Sequence, residues 1–138
     1  MMISTKGRYA LRMMLDLAAS DPGMLVPLKE ISARQRISVK YLEAIAVVLN
    51  RAGLVQSQRG KDGGYRLARP ADQITTAEIL RCTEGSLSPV SCPTLDGAAC
   101  QRAGECLSLP LWQALDRHID EYLSGVTLQD VLLGQVKP

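Results

Sequence analysis

At 138 residues, 46% apolar and 22% charged, the chain is long enough for one hydrophobic core and too short for two independent ones. No run approaches eighteen uncharged apolar residues and the first residues lack the order of a secretory leader, so the expectation is a cytoplasmic protein with no membrane partner. The net charge of +2 conceals an asymmetry: residues 1–70 hold twelve Lys or Arg against five acids (+7), residues 71–138 four against nine (−5). A basic half of this size suits a polyanion such as nucleic acid, whose phosphates Lys and Arg neutralise.

In chain order, residues 8–19 space Leu11, Met14, Leu15 and Ala18 as one face of a helix. Asp21, Pro22 and Gly23 break it, and a short second helix follows with Leu28 and Ile31 on its apolar side. Ser38 is placed to cap a third helix, in which Leu42, Ile45 and Leu49 form the buried stripe and Gly53 supplies the stop. Two short strands, LVQSQ and YRLAR, then flank RGKDGG, a glycine-rich and charged hairpin tip. Helix, helix, tight turn, helix and hairpin is the order of a winged helix-turn-helix, whose later helix enters a DNA major groove.

Past Pro70, Thr75 and Glu78 form a capping box for a helix ending near Gly85. After an aperiodic stretch, Leu111, Leu115, Ile119 and Leu123 recur every four residues in a long helix broadened by Trp112 and Tyr122. Its apolar face calls for a cover, either a second copy of the chain or the chain's own core. Gly125 ends it and Thr127 caps a last short helix. The expected fold is mainly α with a small β hairpin. It divides into a winged helix-turn-helix domain over residues 1–84, a cysteine-bearing loop over 85–107, and a dimerisation helix with a short helix over 108–138.

Groove reading needs hydrogen-bonding side chains on the exposed front of a helix. Ser38, Lys40, Tyr41 and Glu43 stand off the buried stripe at the start of the third helix; a carboxylate accepts from cytosine N4, and Lys serves guanine or phosphate. At the hairpin tip Arg59 and Lys61 lie among Gly60, Gly63 and Gly64, and an Arg on a protruding turn suits the negative potential of a narrow minor groove. Cys92, Cys100 and Cys106 are spaced C-x7-C-x5-C. In a reducing compartment such thiols argue for metal or redox chemistry over disulfides. Their wide spacing leaves an iron-sulfur cluster, zinc and metal-free thiols all open. A lone His118 on an apolar-striped helix, with no nucleophile and base in an arrangement that chemistry would need, argues against an enzyme.

The segments STKGRYALRMMLDLA, ISVKYLEAI and LVQSQRGKDGGYRLAR resemble the Rrf2 family of bacterial transcription regulators, most of all its iron-sulfur cluster regulators. The resemblance implies a homodimer joined through the long C-terminal helix and bound to double-stranded promoter DNA as a repressor. It places Ser38, Tyr41, Glu43 and Arg59 at the DNA, with Arg59 in the minor groove and Glu43 setting which sites are accepted. It also implies a cluster, [2Fe-2S] ahead of [4Fe-4S], on Cys92, Cys100 and Cys106, sensing iron-sulfur, redox or nitric oxide status. Two positions depart from the pattern: the histidine expected three residues past the last cysteine is Leu109, and the N-terminal Asp of a nitric-oxide-sensing branch is Arg8. Candidates for the missing ligand are Cys82, Glu105 and Asp96, although Cys82 also fits the buried side of its helix. The alternative is a metal-free repressor of the same type, controlled by thiol oxidation, a small molecule or a partner protein.

Overall fold

The computed structural model describes residues 3–92, 95 and 100–138. Ser4 caps α1 (Thr5–Ala19) by accepting a hydrogen bond from the Gly7 amide at 3.1 Å. The helix therefore begins before the apolar periodicity does. Its fully buried face is Ala10, Met13, Met14 and Leu17, with Leu11, Leu15 and Ala18 partly covered. The predicted stripe was thus one residue out of phase, because α1 is enclosed on more than one side and two adjacent rows of apolar residues share Met14.

Two short helices follow, α2 (Leu28–Gln35) and α3 (Val39–Arg51). Between them Arg36 adopts the left-handed conformation, φ 55°, and Ile37 turns inward to 3% exposure. The Ser32 hydroxyl donates to the Ile37 carbonyl at 2.6 Å and Ser38 caps α3, accepting from the Tyr41 amide at 3.1 Å. Leu42, Ile45, Ala46 and Leu49 are wholly buried, as the α3 periodicity required. Gly53, φ 72°, then closes α3 with a Schellman pair, Gly53 N–H to Asn50 O and Leu54 N–H to Leu49 O.

The wing is an antiparallel hairpin of β1 (Val55–Gln58) and β2 (Gly64–Leu67), in register from Val55 opposite Leu67 to Gln58 opposite Gly64. Tyr65 also exchanges two backbone bonds with Val26, at 2.8 and 2.9 Å, tying the wing to the segment that enters α2. Gly64 is required there, since a Cβ would lie 2.5 Å from the Val26 backbone carbon.

After a 3-10 turn (Ala71–Gln73), α4 (Thr76–Glu84) starts from the expected Thr75–Glu78 capping box. The long helix is α5 (Leu109–Ser124), and α6 (Leu128–Leu132) carries a second capping box, Thr127 with Asp130. Backbone bonds from Thr76 to Val126 and from Leu128 to Ile74 fasten α6 beside the start of α4, and Leu128 is fully buried in the same core as Met13, Ile45 and Ile79. By contrast α5 buries only Leu109. Among the described residues, no helix is long and apolar enough to cross a membrane.

Candidate nucleic-acid interface

The front of α3 is free of the core. Ser38, Lys40, Tyr41 and Glu43 are all exposed, as are Ala44 and Val47 one turn on. Ser38 spends one lone pair on its helix cap, which fixes its hydroxyl at the leading edge of α3. Tyr41 is held by an edge-to-face contact with Tyr9 of α1, ring centres 5.5 Å apart and planes at 72°, so one rotamer faces outward while the ring edge stays anchored. Arg12 lies over the Tyr9 ring at 5.3 Å and also donates to the side-chain and backbone oxygens of Gln35 at the end of α2. The Arg12–Tyr9–Tyr41 chain of ring contacts thus connects α1 to the helix that faces outward.

The wing tip stands beside the far end of α3. Arg59, Gly60 and Gly63 line a concavity of about 530 Å³ together with Val47, Asn50 and Arg51 of α3. Gly60 sits at φ 114°, which few residues other than glycine adopt, and its carbonyl accepts from Gly63 N–H at 3.1 Å to close the turn. Arg59 and Arg51 therefore share a concave face, whereas Lys61 is exposed on the tip and does not line it. Arg51 and Asn50 were missed from the sequence, where they read as the end of a helix; only the hairpin folding back onto α3 reveals them.

A buried carboxylate ties α1 to the end of α2. Asp16, 6% exposed, accepts from Arg34 Nη2 at 2.8 Å, Arg34 Nε at 3.0 Å and Gln35 Nε2 at 3.0 Å. Burial pushes its acidity toward the neutral form, but the hydrogen bonds from Arg34 and Gln35 and the guanidinium charge outweigh it and hold the carboxyl below its usual range.

The cysteine loop leaves α4 at Gly85 and enters α5 through tight turns, Ala103 N–H to Cys100 O and Leu109 N–H to Cys106 O. Cys106 lies at the start of α5, its sulfur 3.4 Å from the Ser108 hydroxyl. That contact, opposed slightly by burial and aided by the Ser108 and Leu109 amides and by Arg102, lowers the thiol below its ordinary value. Cys92 and Cys100 are half-buried. Among the described residues no three metal-ligating side chains are gathered into one site. Of the proposed fourth ligands, Cys82 donates to its own helix at Ile79 O and packs against the core, with burial pushing its thiol up. Glu105 is exposed beside Cys106, and Asp96 lies outside the described residues. Leu109 is buried at the first position of α5 and Arg8 bonds to Thr5, so neither position offers a ligand. Among the described residues the donor chemistry thus provides three thiols and no closed four-ligand set.

Along α5, Leu111, Leu115 and Tyr122 are exposed at 60%, 39% and 45%. His118 lies on the same helix and lines an apolar depression with Ile3, Ile119, Tyr122 and Leu123.

The sequence profile of the Rrf2 family, described as iron-dependent transcriptional regulators, matches residues 3–133. The chain belongs to the Rrf2 family. An IscR transcriptional regulator of Cereibacter sphaeroides is 38% identical over 141 residues, spanning all of this chain and 91% of the relative. An HTH-type protein of Neisseria meningitidis, NMA1593, is 44% identical over 132 residues, 96% of this chain and 88% of its own. Among solved structures, CymR, the global cysteine regulator of B. subtilis, superposes with a TM-score of 0.82 at 36% identity, covering 97% of this chain and 98% of that one. As an Rrf2 protein the chain is a transcription regulator and not an enzyme, and its mostly helical architecture with a two-stranded wing is that of the family's winged-helix members.

Proposed function

We propose that this Rrf2 protein is a sequence-specific repressor that reads double-stranded promoter DNA with α3 and the wing, as a homodimer joined along α5. The observation that carries the reading is the shared concave face on which the basic hairpin tip, Arg59, stands beside Arg51 while the exposed front of α3 presents Ser38, Lys40, Tyr41 and Glu43. Glu43 accepts from an exposed cytosine amino group, Lys40 and Lys61 meet guanine or phosphate, and Arg59 enters a narrow minor groove. The exposed Leu111, Leu115 and Tyr122 on α5 would be covered by the same face of a second copy, which also sets the spacing of two recognition helices.

The regulatory part of the proposal is that DNA affinity follows the state of the cysteine loop, through an iron-sulfur cluster held by Cys92, Cys100 and Cys106. The cluster would supply a redox-sensitive centre when bound; the chain would contribute three cysteine sulfurs, of which Cys106 has its thiol lowered below the ordinary value by its contact with the Ser108 hydroxyl. A [2Fe-2S] centre with a ligand from outside the described residues or outside the chain agrees with the three-thiol set. One observation favours a second reading without metal: Cys106 is half-buried just before α5, with its thiol lowered by the Ser108 contact, the setting of an oxidant-sensitive thiol. Anaerobic purification with iron and sulfide assays, followed by duplex binding before and after cluster loss, tests both. Replacing Cys92, Cys100 and Cys106 together by Ala should abolish visible absorption and the response of DNA binding; an unchanged response would refute loop control. A response in metal-free protein exposed to peroxide would decide for the thiol reading.

A further inference from the structure

The first turn of α1 lacks something that its sequence would ordinarily supply. Ser4 is its N-cap, and a capping box needs a carboxylate or amide three residues on to accept from the cap's own backbone N–H. That position is Gly7. The missing group comes from another helix: Glu84 Oε1 accepts from the Ser4 backbone N–H at 3.0 Å and from the Ser4 hydroxyl at 2.6 Å. Gly7 makes room for it, since a Cβ there would lie 2.2 Å from Glu84 Oε1. The electrostatics agree. Glu84 is the last residue of α4, where the dipole of its own helix disfavours an anion, and it reaches the first turn of α1, where the dipole favours one.

Glu84 is also the last residue before the cysteine loop, with Gly85 at φ 77° starting the exit. From α1 the route to the recognition helix is short: Tyr9 meets Tyr41 edge to face, and Arg12, stacked on Tyr9, holds the end of α2. We propose that Glu84 is a positioning residue for DNA reading, a capping group lent to α1 from the root of the cysteine loop, so that a change in the loop is felt at the front of α3. The proposal rests on the reading of the loop as sensor and α3 as reader. A loop that draws Glu84 away leaves the Ser4 backbone N–H and hydroxyl without their acceptor and loosens the Tyr9–Tyr41 contact; a loop that leaves it seated keeps α3 in its reading position.

The experiment separates this role from simple capping. In Glu84→Ala the tie and the acceptor for the Ser4 N–H are both lost; in the double variant Glu84→Ala with Gly7→Glu the box is closed within α1, while the link to the loop stays cut. With the Glu84 side chain removed, the nearest remaining obstacle at position 7 is the Ile3 side-chain methyl at 3.1 Å. Glu84→Ala should lower the melting temperature by roughly 2–6 °C, and the double variant should recover most of it. Hydrogen exchange is then followed by mass spectrometry before and after alkylation of the loop thiols with iodoacetamide. In the wild type, alkylation should change exchange at residues 4–9 and 38–44 by about fivefold or more; in the double variant the change should be confined to the loop. Transmission in the double variant equal to the wild type, or no change outside the loop in the wild type, overturns the proposal. Duplex affinity of the unalkylated proteins is measured in parallel: failure of every form to bind DNA would refute the reading of α3 as reader, while exchange still decides whether Glu84 couples the loop to it.

Discussion

Removing either partner of the Asp16–Arg34 pair should destabilise the protein, and the more exposed partner should matter more. The Asp16 side chain is 3% exposed and the Arg34 side chain 48%. In Asp16→Ala the guanidinium swings into water, so the loss is that of charge-assisted hydrogen bonds discounted for solvent, about 2–3 kcal/mol. In Arg34→Ala the carboxylate stays buried with Gln35 as its remaining donor, and stranding a buried charge costs about 3–5 kcal/mol. At about 4 °C per kcal/mol for a chain of this size, thermal melts followed by circular dichroism should fall by roughly 8–12 °C and 12–20 °C respectively. The pH dependence has a defined sign. Because the folded carboxyl is held below its unfolded value, near 3.9, its contribution is present at neutral pH and is lost as pH falls through the depressed folded value. The acid limb of the stability profile should therefore flatten in Asp16→Ala. An Arg34→Ala variant that melts above Asp16→Ala, or both within about 0.5 kcal/mol of wild type, would refute the reasoning.

Gly64→Ala should push the wing off the Val26 backbone, weakening both stability and duplex binding, whereas Gly104→Ala, where a Cβ meets nothing within 4 Å, should melt with the wild type. Cys106 should be alkylated ahead of Cys82 at neutral pH, because hydrogen bonding acidifies the first thiol and burial raises the second. Peptide mass mapping over time checks the order, and Ser108→Ala should slow Cys106 by removing the contact at its sulfur. Leu128→Ala should destabilise the winged core by about 2–5 kcal/mol, since α6 fills it despite its distance in sequence; a surface-like loss below about 0.5 kcal/mol would contradict that packing.

The strong local signals in the sequence translated directly. Ser38, Thr75 and Thr127 cap the helices whose starts they marked, and Gly53 ends α3 as a left-handed stop. These are short-range effects, decided within one turn of chain. The phase of α1 was not legible in the same way, because helical periodicity names one face and α1 is covered on more than one. Tertiary ties were less visible still. Nothing around Glu84 in the sequence points to Ser4, eighty positions away, although a serine cap followed by glycine at the box position is a cue that an acceptor must come from elsewhere. Asp16 reads as a solvated charge on a helix until α2 folds over it. The exposed front of α3 was legible because its residues are those the buried stripe leaves over; the concavity shared by Arg51 and Arg59 needed the hairpin's return path. The three cysteines stand out in the sequence by their spacing, but spacing does not encode long-range placement, and among the described residues no three metal-ligating side chains gather into one site.

The most direct test is the affinity of the intact protein for a duplex selected from random sequence, measured at fixed salt beside a scrambled duplex and repeated with Arg59→Ala. Reading by α3 and the wing predicts a marked preference of the wild type for the selected duplex and a loss of roughly tenfold or more in Arg59→Ala, equivalent to 1–3 kcal/mol for one specific contact. Equal binding to selected and scrambled DNA, or selective binding that Arg59→Ala leaves untouched, would contradict it.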